Sequence, residues 1–179
     1  DARKRSSKLF FSKVIVITIV VFLIGFQTNI TAGSIKKTGS GNYLLLTGFE
    51  PFYIYDVNPS QLIVEAFNGT NICNKTVVGI VLPVNFSESV TQIISEIERY
   101  NPVLVLSLGL NAEARMVQIE NFGVNIRKQP RSNPFWFVPK RLDPDGPFLL
   151  RTSLPTIDIV SAIRKVGIPA RNSIHAGTY

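Results

Sequence analysis

Few side chains in this 179-residue chain can act as nucleophiles or proton carriers near neutral pH: there is one cysteine, Cys73, and one histidine, His175. A thiol–imidazole pair carries out acyl transfer when a third polar group holds the ring and stabilises its cationic form. Glu120 follows the apolar alternation of residues 116–119, so its neighbours predict partial burial and make it a candidate for that third group. A lone, partly buried Glu is also a common structural hydrogen-bonder. A Cys73/His175/Glu120 triad carries little weight. Cys73 falls in Asn-Ile-Cys-Asn-Lys between a predicted helix and strand, where a surface turn at the far end of a sheet is expected. One Cys and one His without ligand spacing imply no metal, and nothing implies an organic cofactor.

The elements that must position these groups follow from patterning. Residues 43–46 read as a first strand, ending in Thr47-Gly48-Phe49-Glu50-Pro51-Phe52. Two aromatics in a Gly/Pro turn ordinarily cover the edge of a core. Asn58-Pro59-Ser60 follows; Asn58 can close an Asx turn or contact a ligand, and Ser60 can cap a helix through Ala66. Residues 76–82 are β-branched and continuously apolar, as in a strand covered on both faces. Ser87 can cap a helix whose Val90, Ile93, Ile94 and Ile97 form one face. Residues 103–108 are a third strand, and residues 116–119 and 124–126 read as a strand pair or bent strand with Glu120 between them. Five prolines between Gln129 and Pro147, with Phe135 and Trp136, predict an extended loop packed down by its aromatics. A helix from Thr156 closed by Gly167 and a strand over residues 168–173 complete the alternation. The fold class this predicts is three-layer α/β/α with a central, mostly parallel sheet. In such sheets the turns just past strand ends are the expected site positions, here residues 47–60, 109–125 and 172–179.

Those three segments carry a resemblance. Strand, Gly-Phe-acid-Pro-Phe turn and Asn-Pro-Ser, followed by Gly-Ile-Val-Leu-Pro-Val-Asn-Phe at 79–86, the Glu120 region, Thr-Ser-Leu-Pro at 152–155 and the His-Ala-Gly-Thr-Tyr ending, resemble type I pyroglutamyl peptidases. These are cysteine enzymes that remove N-terminal pyroglutamate. The resemblance implies that Phe49 and Phe52 line a slot for the flat, uncharged lactam, which offers little to charge recognition. It maps the acid that orients the catalytic histidine onto Glu120, while Asn58, beside this slot, is a candidate substrate-binding residue or the cap of its turn. Where the family continues with Gly-Gly, this chain has Tyr53-Ile54, and Arg115 lies one place later than the family's arginine.

The family's pattern places the nucleophilic Cys two residues beyond Tyr179, after a tight Ala-Gly turn that sets the thiol at a helix N-terminus, where the dipole favours thiolate. The catalytic histidine lies further on, and His175 falls at a non-catalytic position. The chain is therefore expected to be a piece of a longer protein, inactive as it stands, with peptides bearing N-terminal pyroglutamate as partners. The competing expectation is a catalytically dead member serving as a pyroglutamate-binding or adhesion module.

Charge completes the reading. The net charge of +7 is concentrated in residues 1–40, where seven Lys and Arg face Asp1 alone. Residues 41–179 hold 12 basic and 11 acidic groups and lack the basic face that nucleic-acid binding needs. Behind the basic start, residues 14–26 form an apolar stretch of 13 residues, Thr18 aside. That length fits a secretory signal or, with uncharged flanks, a signal-anchor helix. Residues 1–30 are thus expected to be the leader, 31–42 a linker and 43–179 the domain, membrane-anchored or secreted and outside the cytoplasm. Sequons at Asn29, Asn68, Asn74 and Asn85 fit an exported chain.

Overall fold

Runs that are apolar on both faces build the centre of the sheet, and amphipathic segments cover it. A computed structural model describes residues 17–20, 41–126 and 141–175. In chain order the elements are β1 (Ile17–Val20), β2 (Tyr43–Phe49), α1 (Pro59–Phe67), β3 (Asn71–Ile72), β4 (Lys75–Leu82), α2 (Phe86–Tyr100), β5 (Leu104–Leu110), β6 (Val117–Val124), β7 (Leu149–Arg151), α3 (Thr156–Lys165) and β8 (Ala170–His175). The sheet order is β3-β4-β2-β5-β1-β6-β7, with β8 also paired to β6. Strands β4, β2 and β5 are mutually parallel. β1 runs antiparallel to β5 and parallel to β6, and β8 is parallel to β6. The sheet is thus mixed, with β6 and β8 antiparallel to β2.

Register fixes the layers. Val64 of α1 packs with Leu46, Val77 and Leu108, while Val160 of α3 packs with Val117, Ile119 and Ala170. Leu108 pairs with Ile19, and Ile19 pairs with Ile119, so both clusters share one face of the sheet. Tyr43 belongs to the opposite residue set on β2 and meets Tyr100 of α2 edge-on at 5.2 Å. Hence α1 and α3 cover one face and α2 lies against the other.

Several expectations need correction. The N-terminal hydrophobic helix is not found: at the centre of residues 14–26 the backbone is strand β1, inserted between β5 and β6. Among the described residues no helix is long and apolar enough to cross a membrane. The signal-anchor reading, the membrane contact and the membrane-anchored or secreted placement all rested on that helix, and they are withdrawn with it. Apolar, β-branched stretches of this length serve buried strands as well as helices, and hydropathy alone does not separate the two.

The caps also moved. Asn58, not Ser60, caps α1, and Asn85, not Ser87, caps α2 by accepting from the N–H groups of Ser87 and Glu88. Asn68 terminates α1 and accepts from Gly79 N at 2.9 Å. Two of the four sequon asparagines therefore stand at helix ends, Asn85 as the side-chain cap of α2 and Asn68 as a tie from the end of α1 to β4. β6 is one continuous strand with Glu120 in its middle. The proline-rich loop, including Phe135 and Trp136, lies mostly outside the described residues. Its end at 141–148 forms no regular element.

Candidate active site

The first candidate segment is built around a close approach of strand and helix. A Cβ on Gly48 would come within 2.4 Å of the Ser60 carbonyl oxygen, so only glycine lets the first turn of α1 sit against β2. This contact brings Ser60 Oγ to 3.0 Å from Phe49 N, whose N–H it accepts. Asn58 completes the brace. Its Oδ1 accepts from Ser60 N at 3.0 Å and from Ser60 Oγ at 2.7 Å, and its Nδ2 donates to the Glu50 carbonyl at 3.0 Å. Both Asn58 and Ser60 are buried. Every one of these bonds links the residue to its own turn.

From this brace the chain throws out an aromatic tip. Phe52 is half-buried, its ring 5.6 Å from that of Tyr55 at an interplanar angle of 59°. Tyr55 N donates to the Phe52 carbonyl at 3.1 Å, closing a β-turn over Tyr53 and Ile54. Only the first central residue, Tyr53, has positive φ (+58°), the signature of a type II′ turn. Phe49 is half-buried at the end of β2. Phe49 and Phe52 are thus brought to one turn, with Asn58 beneath them.

Glu120 is positioned by the sheet instead. It is 3% exposed, in β6, on the face away from α3, and its register partner in β8 is Ser173. Ile119, on the other face, is sealed under Val160. Across the sheet Thr47 pairs with Ser107, and Thr47 Oγ1 donates to Ser107 Oγ at 2.9 Å. Ser107 pairs with Val20, one residue beyond the Ile19–Ile119 pair, so Glu120 falls in the same row. Thr47, Ser107, Glu120 and Ser173 therefore share one register row on one face of the sheet, with the Val20 position between Ser107 and Glu120. Three strand spacings, about 14 Å, separate Glu120 from β2. Glu120 and the aromatic turn share a face without touching.

At the start of β6, a cleft of about 340 Å³ is lined by Asn111, Glu113, Arg115, Met116, Gln118 and Arg171. Gln118 is buried and faces the same way as Glu120, and Arg171 is its register partner. Sequence reasoning missed Gln118 and Arg171. It also missed Asn125, whose Oδ1 accepts from Leu142 N and Asp143 N and whose Nδ2 donates to the Asp143 carbonyl at 2.6 Å. This side chain ties the returning segment to the end of β6. The Val124-Asn125 pair was the available signal, since an Asn at a strand end often closes a loop.

The two remaining reactive residues belong to separate elements. Cys73 is exposed and, with Asn74, forms the two-residue turn of the β3–β4 hairpin at φ +51° and +59°. That turn leads into the start of β4, beside the start of β2, at the opposite end of these parallel strands from Phe49. His175 ends β8, its backbone paired with Phe122. No Cys73-centred site is assembled.

Comparison with known proteins is consistent with this geometry. A pyrrolidone-carboxylate peptidase of Saccharolobus islandicus is 35% identical over 138 residues, covering 76% of this chain and 66% of that protein. One from Halalkalibacterium halodurans is 34% identical over 140 residues, covering 78% and 70%. The chain thus spans slightly less than two thirds of the length of the Saccharolobus relative. Among solved structures, the pyrrolidone carboxyl peptidase of Thermococcus litoralis superposes with a TM-score of 0.70 at 32% identity, covering 76% of this chain and 63% of that one. The Pyrococcus furiosus enzyme gives 0.70 at 30% identity, covering 76% and 67%. The family model described as pyroglutamyl peptidase matches residues 42–179. By that match and these identities, the chain belongs to the pyroglutamyl peptidase family.

Proposed function

We propose that the whole protein is a cysteine peptidase that removes N-terminal pyroglutamate from peptides. The observation that carries this is the family match over residues 42–179, which takes in the aromatic turn, Glu120 and the end of β8. Residues 43–179 then contribute an α/β unit to the catalytic domain. Phe49 and Phe52 provide flat apolar faces for the lactam, where burial of the ring supplies binding and no charge is required. Asn58 acts as a positioning residue, because its oxygen and amide are committed to Ser60 and Glu50. Glu120 orients the catalytic imidazole and stabilises its cationic form.

In this reading a Cys thiolate attacks the pyroglutamyl carbonyl carbon and the C–N bond to the next residue breaks. The imidazolium delivers its proton to the departing amine. Water, deprotonated by the same imidazole, then hydrolyses the thioester and regenerates the thiolate. A buried carboxylate in the centre of a sheet suits the Glu120 role, since its position is fixed by strand pairing.

The test is turnover of a pyroglutamyl fluorogenic amide by the full-length protein, with and without thiol alkylation. Alkylation-sensitive release of the fluorophore is expected. Binding of the substrate without cleavage by a folded, reduced protein would sink the peptidase reading.

A further inference from the structure

The tip of the aromatic turn combines two costs. A non-glycine residue at the first central position of a type II′ turn sits in backbone space that L side chains avoid. That residue is Tyr53, at φ +58°. The same tip also exposes apolar surface: Tyr53 is 93% exposed, Ile54 73% and Val57 55%. Contiguous apolar side chains beside a binding site mark contact surface more often than isolated exposed ones do. Neither feature helps the fold, because none of these three side chains enters a core cluster. Glycine at position 53 would relieve the backbone and remove much of the exposed surface.

We propose that Tyr53 is a specificity-determining residue, receiving, with Ile54 and Val57, an apolar or aromatic side chain at the position that follows pyroglutamate in the bound peptide. This rests on the pyroglutamyl-peptide reading above and names what that reading leaves open. The argument is one of spacing. If the lactam lies between Phe49 and Phe52, the next residue of an extended peptide is displaced by roughly one Cα–Cα step, about 3.8 Å. Tyr53 is one residue beyond Phe52, outside the half-buried pair and free to turn. The turn's hydrogen bond, Tyr55 N to Phe52 O, keeps the tip from collapsing onto the slot. A rigid amphipathic ring with few rotatable bonds binds a partner ring at low entropic cost.

The experiment compares pyroglutamyl-phenylalanine amide with pyroglutamyl-glycine amide, binding each to the full chain and to its Tyr53→Gly and Tyr53→Phe variants by titration calorimetry. Thermal midpoints of all three proteins are recorded. The expected result is a preference of about 3- to 10-fold for the phenylalanyl peptide in the unmodified protein. Tyr53→Phe keeps that ratio, whereas in Tyr53→Gly it collapses to about one while the midpoint rises by about 2–6 °C. A ratio that survives Tyr53→Gly, or is already one in the unmodified protein, overturns the proposal and leaves the pyroglutamate reading standing. Failure of both peptides to bind the folded, unmodified protein overturns the pyroglutamate reading itself, and this inference falls with it.

Discussion

The aromatic turn and the Glu120 strand belong to the same candidate site but are held by different physics. Residues 47–60 depend on a few directional bonds: Ser60 to Phe49, and Asn58 to Ser60 and Glu50. Glu120 depends on many weak ones, namely pairing to β8, and the burial of Ile119 and Val117 under α3. A loop held by three polar groups is brittle at those groups and permissive at its tip, which is why the tip tolerates a tyrosine in glycine space. A strand held by packing is hard to misplace by any single change outside the core. Substitutions of matched size should separate the two regimes, because they remove function in one place and structure in the other.

The largest effect is expected at Glu120. In the full-length protein, Glu120→Gln preserves volume and hydrogen-bonding shape but, on the proposed mechanism, removes the charge that would face the imidazolium. Loss of an analogous carboxylate in a serine-protease triad costs on the order of 10⁴-fold in kcat. A thiolate–imidazolium pair starts out more polarised, so a loss between about 10²- and 10⁴-fold in kcat/KM is expected, with the urea midpoint little changed. Turnover equal to the unmodified protein would remove Glu120 from the mechanism. Equal losses of stability and rate would instead place its role in the fold.

Asn58→Ala tests the other regime. It deletes a helix cap and leaves Ser60 N and the Glu50 carbonyl without their buried partner. Caps are worth about 0.5–2 kcal/mol, and an orphaned buried polar group costs about 1–3 kcal/mol more. A destabilisation of about 2–4 kcal/mol by urea unfolding is expected, together with weaker binding of pyroglutamyl peptides as Phe49 and Phe52 lose their register. Unchanged stability with lost binding would show that Asn58 contacts the ligand directly, and the positioning role would be wrong.

What sequence made legible follows the same division. Strands β2, β4 and β5 and the three helices were readable because apolar period and turn residues agree there. The Phe49–Phe52 turn was readable because unusual residue types stand at the end of β2. The burial of Glu120 was readable because apolar residues precede it, although it lies within β6, and the roles of both in the site are proposals. The caps were misassigned by two residues, since Asn-x-Ser offers two acceptors and only geometry chooses between them. Strand β1 was misread because an apolar, β-branched run such as Ile17–Val20 satisfies a helix and a strand alike. The mixed direction of the sheet was not read either. The turn from β5 to β6 spans only residues 111–116, too short for a helical crossover, and the expected strands at 103–108 and 116–119 already carried that constraint without its being applied to the sheet.

Gly48→Ala probes the contact between the brace and the sheet. The added methyl meets the Ser60 backbone, which is not the movable end of a side chain, so α1 must shift away from β2. A cost of about 1–3 kcal/mol is expected from overpacking. The shift also lengthens the Phe49–Ser60 bond. Amide exchange at Phe49 should therefore accelerate more than at Ile119, whose surroundings are remote from α1. Equal acceleration at both sites would mean that the two regions unfold as one unit and that the contrast drawn between them is too sharp.

The smallest effect is expected where a thiol is present but no site is. Cys73 is exposed, sits at φ +51° in a two-residue hairpin turn, and lies at the end of the sheet away from Phe49. The turn requires positive φ at both central residues, a demand that serine meets no worse than cysteine. Cys73→Ser should change stability by less than about 0.5 kcal/mol, as for most surface substitutions. It should also leave pyroglutamyl peptide turnover in the full-length protein within experimental error. The contrast with Glu120→Gln is the point of the measurement: one change removes a reactive group outside the candidate site, the other a less reactive group within it. If Cys73→Ser abolished turnover while the protein stayed folded, the nucleophile would have to be this thiol, and the assignment of the site to the Phe49 turn and Glu120 would fail.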